Sequence, residues 1–173
     1  MRERIFARRR AAAGADAVTK PLIVGQAPGR RSNPNEPLSG KSGRRLAALC
    51  GLDLPAFLDC FDRVNLVYGW PDERAKGDAF LGCVEARHAA AELAPRLARR
   101  RAILLGHRVA AAFHASDLPY FKWTRLGDAM IAVAPHPSGV NLFWNDPANV
   151  RTARRFWRSV SAPRRRARRS PRT

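Results

Sequence analysis

The chain has 173 residues, 46% of them hydrophobic, which suits one globular domain of ordinary size and argues against wholesale disorder. No apolar stretch approaches the roughly 20 residues needed to span a bilayer, and the Arg-rich opening MRERIFARRRAAAGADA is too poor in apolar residues for a secretory signal. Lys and Arg number 32 against 14 Asp and Glu, a net charge of +18. Residues 1–17 contribute +3 and residues 161–173 contribute +6, so the body between them still carries +9. Such a field attracts polyanions, with nucleic acid as the default partner; the plainer reading is a well-solubilised protein in which Arg replaces Lys nearly throughout. Cys50, Cys60 and Cys83 form no CxxC pair, so the expected compartment is reducing.

Composition divides the chain into a basic, flexible segment (1–17), a folded domain (18–160) and a disordered Arg-rich tail (161–173). Within the domain, PLIVG (residues 21–25) reads as a buried strand. Ser42 to Cys50 places Leu46, Ala47 and Leu49 at helical spacing, with Gly51 as the stop. FDRVNLVYG (61–69) is a second strand, and Asp78 to about Arg99 a long helix disturbed at Pro95. AILLG (102–106) is a third strand that leads into HRVAAAFH, and AMIAVA (129–134) a fourth. Asn145 or Asp146 then caps a helix with Pro147 in its first turn, running to about Val160. Strands alternating with helices predict a three-layer α/β/α sandwich around a four-stranded parallel sheet.

Ligands of such sheets bind at the carboxyl ends of the strands. Three stretches stand there, GQAPGRR, NLVYGWP and HPSGVNLFW, and the topology predicts that they converge. SGKSG (39–43) imitates the end of a phosphate-binding P-loop. The full pattern needs Gly where Asn35 stands, and Lys41 lies too far beyond its strand. A zinc deaminase is also disfavoured, because no HxE or PCxxC signature exists.

VGQAPG, VNLV and PHPSG, in that order and each after a predicted strand, resemble the uracil-DNA glycosylase superfamily. The likeness runs from Leu22 to about Val160 and is nearest to the branch whose first motif reads GEAPG. That branch usually holds an iron–sulfur cluster on four cysteines. Here Gly69 replaces one ligand and the paired N-terminal cysteines are missing, so neither metal nor other cofactor is expected. The resemblance implies a monofunctional enzyme of base-excision repair that flips uracil out of DNA and hydrolyses its N-glycosidic bond, leaving an abasic site. It further implies a cytoplasmic, nucleoid-associated bacterial protein, monomeric and without membrane contact. The alternative is a non-catalytic member that grips damaged or single-stranded DNA.

Residue roles carry over by motif. Asn65 is expected to pair with the Watson–Crick edge of uracil, since its amide offers one acceptor and two donors. Gly25, Gln26, Gly29, Leu38 and Tyr68 would complete the uracil pocket. His136 is expected to stabilise the negative charge that develops on the departing base, with Gln26 and Ala27 beside the reacting bond. Arg30, Arg31, Lys41, Arg44 and Ser138 are candidates for phosphate contacts. Gly139, Val140, Asn141 and Leu142 form the loop that enters the duplex, with Val140 and Leu142 as an apolar wedge. Phe143 and Trp144 are read instead as core, tucked under the last helix.

Three positions depart from the family pattern. Ala27 stands where many members carry an Asp or Asn that positions the attacking water, which leaves Gln26 or Glu36 for that task. Gly29 replaces a Tyr that rejects thymine, so tolerance of bulkier, C5-substituted uracils is expected. Leu38 stands where an aromatic would stack on the base, leaving Tyr68, Trp70 or Trp123 to do so. His88, His107 and His114 fall on helical stretches and are assigned no role.

Overall fold

Leu22, Ile23 and Val24 leave β1 (Leu22–Gly25) with no face for water, and all three are fully buried. A strand of that kind needs cover on both sides. The computed structural model describes residues 19–29, 33, 35–67 and 83–162. In it, β2 (Asp62–Asn65) and β3 (Arg101–Leu105) flank β1, both parallel to it. Beyond β3 lie β5 (Ala129–Ala134), again parallel, and β4 (Thr124–Leu126), antiparallel at the edge, giving the order β2-β1-β3-β5-β4.

The expected sheet of four parallel strands is therefore corrected to a mixed sheet of five. The four parallel strands are those read from the apolar runs, and the fifth has another cause. Gly127 and Asp128 close a two-residue hairpin that folds Thr124–Leu126 back on β5, pairing Leu126 with Ala129. Arg125 and Leu126 are exposed, so no apolar alternation marks that strand.

Alternate side chains of the parallel strands enter two separate cores, as a pleat of period two requires. Leu22, Val24, Leu104 and Val133 meet α3 (Cys83–Leu97) and α4 (His107–Ala112) on one face. Ile23, Ile103, Leu105 and Ala132 meet α1 (Lys41–Cys50) and α5 (Pro147–Ser161) on the other, together with Phe57 of α2 (Leu54–Cys60). The result is three layers. Trp157 anchors the second core, edge-on to Phe61 at 5.9 Å between ring centroids.

Local chemistry explains the helix ends. The Asp53 side chain accepts from the Ala56 N–H at 2.8 Å and starts α2, a helix the apolar pattern does not predict. Asp146 accepts from the Ala148 N–H at 2.7 Å, and Pro147 takes the first position of α5, as read from the sequence. Helix α5 runs through Ser161. Pro95 lies inside α3, which ends two residues beyond it. The expectations for residues 1–17, 68–70, 78–82 and the rest of the tail fall outside the described residues. No described helix is long and apolar enough to cross a membrane.

Candidate active site at the carboxyl ends of the strands

Strand register sets the site. Gly25 ends β1 opposite Asn65, which ends β2, so the two residues are side by side at one rim of the sheet. The connection from β1 leads to β2 on one side, while β3 lies on the other, and a crevice opens where the direction of winding changes. A cleft of about 420 Å³ occupies this rim, and Gly25, Gln26, Asn65 and His136 line it together. Three motifs separated by about forty and seventy residues thus meet in one place. Ala27, Pro28 and Gly29 continue the wall, and Glu36, Leu38, Lys41 and Arg44 close the opposite side.

Asn65 is 6% exposed and is the only buried polar side chain among the described residues. Its side chain makes no hydrogen bond to another described residue. The fully buried side-chain atoms without a partner among the described residues are Arg63 Nε, Arg100 Nε and Trp157 Nε1, and the Asn65 amide is not one of them. Facing a cleft, it is a donor–acceptor pair held ready for a ligand. Gly25 makes the room: a Cβ there would lie 2.8 Å from the Asn65 Oδ1.

His136 is held from behind. Its carbonyl accepts from Trp144 Nε1 at 2.9 Å and from Asn141 Nδ2 at 3.1 Å. Asn141 also accepts from the Phe143 N–H at 3.1 Å, capping a single 3-10 turn, Leu142–Asn145. Asn141, expected on the DNA, is thus bonded within its own loop. Arg45 extends the brace, donating to the Ser138 carbonyl at 2.9 Å with its guanidinium 5.7 Å from the Trp144 ring centroid. Gly106, at φ 93° after β3, lets the chain pass close to the His136 Cβ.

The loop therefore divides its hydrophobic residues between two tasks. Phe143 packs edge-on to Tyr120 at 5.6 Å and against Phe121 at 5.9 Å, and Trp144 is partly buried against the second core. Val140 and Leu142 point into water, 88% and 78% exposed.

The wall formed by residues 35–40 is held by long-range contacts. Arg63 Nη1 donates to the Pro37 carbonyl at 3.1 Å, and burial pushes the Arg63 guanidinium below its ordinary pKa, against the pull of Glu36 and Asp62. Leu38 adopts φ 63°, a left-handed conformation disfavoured for leucine, and its carbonyl crowds α1 so closely that only glycine fits at position 43. Backbone strain of this kind collects at binding sites.

Lys41, Arg44, Gly29 and Leu38 therefore line the same cleft as Asn65 and His136. Ser138, Gly139, Val140 and Leu142 belong to the adjoining loop; Arg30, Arg31, Tyr68 and Trp70 lie outside the described residues. Trp123 does not line the cleft: it packs on Phe156 at 5.7 Å and lies under the Arg101 guanidinium at 4.9 Å. Asn33 and Ser42 line the cleft without having been singled out, although Ser42 belongs to the SGKSG stretch set aside as a false P-loop. Among the described residues no three His, Cys, Asp or Glu side chains converge as metal ligands would. No protein-family model matches the chain, and no curated protein matches it either.

Proposed function

We propose that the protein is a DNA glycosylase of the uracil-DNA glycosylase type, which takes uracil and related C5-substituted bases out of DNA and hydrolyses the glycosidic bond. The observation that carries this reading is the meeting of Asn65 and His136 in one cleft. The Asn65 amide, which bonds to no other described residue, pairs with the N3–H and O4 of an extruded uracil. Cytosine presents the opposite pattern and leaves buried groups unpaired, a discrimination of about 1–3 kcal/mol per group. His136 faces the base from another strand end and stabilises the charge that develops on the leaving uracil, with backbone N–H groups of the GQAPG turn assisting. Lys41 and Arg44 take flanking phosphates, and Val140 and Leu142 fill the gap left in the base stack. Ala27 supplies no side chain for water, and Glu36 is the carboxylate that lines the same cleft.

The test is incubation with a uracil-bearing oligonucleotide followed by alkali, which cuts at abasic sites. Strand scission by the wild type, reduced about 10²–10³-fold in His136→Ala, is the expected result. Ala27 also favours a second reading, a member that binds damaged DNA without cutting. Tight binding with no abasic product in the wild type decides for that reading.

A further inference from the structure

Helix α5 presents two opposed faces. Ala153, Phe156, Trp157 and Val160 are buried in the core, while Arg151, Arg154, Arg155 and Arg158 are all exposed. At 100° per residue the four arginines fall within one arc of the outer surface. Asp146, the cap residue, is the only acid on this segment, and none of the four arginines makes an ion pair among the described residues. Like charges three and four positions apart repel one another along a helix face and destabilise it. A single-sign ridge of this kind is disfavoured in the free protein and favoured against a polyanion.

The direction of α5 decides which polyanion contact it makes. The helix starts beside the loop that carries His136 and runs to the opposite pole. There Ser159 and Ser161 line a cavity of about 980 Å³ with Lys20, Arg99, Arg101 and Arg125. Lys20 is paired with Asp59, Arg100 of the same lining with Asp62, and Arg101 stacks over Trp123, while Asp128 is the single acid among the lining residues. Fifteen residues carry the helix about 22 Å away from the cleft rim. A duplex lying across the cleft reaches only the first turn of α5, ahead of Arg151, and leaves the four arginines and the basic pole uncovered.

We propose that the outer face of α5, continued by the basic pole, is a second nucleic-acid surface that holds the phosphates of a separate DNA duplex, so that one molecule bridges two segments. The four arginines span about 10 Å of helix axis. A duplex carries about six phosphates over that length, enough to face all four side chains. The inference rests on the reading of the cleft as the site of the first duplex.

The experiment uses the full chain on a surface-immobilised duplex free of uracil, followed by a second, labelled duplex. Wild type is expected to capture the second duplex, with capture falling steeply as salt rises. The fourfold variant Arg151→Ala, Arg154→Ala, Arg155→Ala and Arg158→Ala is expected to lose about tenfold or more of that capture. Its binding to the first duplex should stay within about threefold, and the salt slope of capture should drop by about 3 to 4. A thermal midpoint no lower than wild type checks the fold, and lysine at the same four positions should restore capture. Capture independent of the arginines, or lost together with first-duplex binding, overturns the proposal. So does arginine-dependent binding to phosphatidylserine vesicles with no second duplex retained. Excision failing while capture persists sinks the glycosylase reading alone, and excision persisting while capture ignores the arginines sinks this one alone.

Discussion

The Asn65 Oδ1 lies 2.8 Å from the point where a Cβ on Gly25 would stand. Real Cβ atoms essentially never come that close, so any larger residue at position 25 displaces the amide. Gly25→Ala is expected to cost about 1–3 kcal/mol of stability by overpacking and to remove selective recognition of uracil. Urea denaturation reads the first effect, and comparison of uracil- with cytosine-bearing oligonucleotides reads the second. Full selectivity in the alanine variant would separate the amide from base recognition.

Asn65→Ala removes the buried amide without filling its place. Excision of uracil should fall by about 10–100-fold in kcat/KM, matching about 1–3 kcal/mol of lost transition-state contact. Substitution by Asp exchanges a donor for an acceptor and should shift preference toward cytosine. Steady-state rates on the two substrates decide the matter.

Val140 and Leu142 touch little in the free protein, so replacing both with Ala should leave stability within about 0.5 kcal/mol. Affinity for a uracil-bearing duplex should fall about tenfold or more, and affinity for a single strand should hold. Fluorescence anisotropy with both substrates measures the split. An equal loss on the two would show that the side chains do not fill a gap in the stack.

Trp144→Phe keeps a ring in place and deletes the Nε1–H that bonds the His136 carbonyl at 2.9 Å. The Asn141 bond remains, so the expected cost in stability is about 0.5–1.5 kcal/mol. A loosened imidazole acts late in the reaction, and kcat should drop while KM changes little. A change confined to KM would assign the bond to substrate binding.

Burial pushes the Cys50 thiol up to about 11, against a hydrogen bond from Ser161 that lowers it. The neutral thiol is thus the folded form over a range where the unfolded chain ionises. Between about pH 9 and 11 the unfolded state has released a proton that the folded state keeps, so stability falls as pH rises. The slope is at most about 1.4 kcal/mol per pH unit. Denaturation midpoints across that range should decline in wild type and flatten in Cys50→Ala.

Much of the framework is legible in the sequence because β1, β3 and β5 are buried on both faces and read as nearly unbroken apolar runs. Gly51, Asp146 and Pro147 mark helix ends for equally local reasons. Helix α2 escapes because Phe57 is its only fully buried residue, although Asp53 and Pro55 punctuate its start. Strand β4 escapes because three residues with two exposed carry no period. At the site, the order of the motifs places Gly25, Asn65 and His136 at strand ends, and register brings them together. The braces are another matter. Arg45 reaches Ser138 across 93 positions and Arg63 reaches Pro37 across 26, contacts that no local pattern encodes.

The three-residue length of β4 has a consequence for the protein in concentrated solution. Without it, the outer edge of the six-residue aliphatic strand β5 would be left without a partner strand, a template for cross-chain pairing. A short edge bearing Arg125 offers a neighbouring molecule too few backbone groups to zip onto, and a charge that repels it. The hairpin thus guards the sheet against self-association.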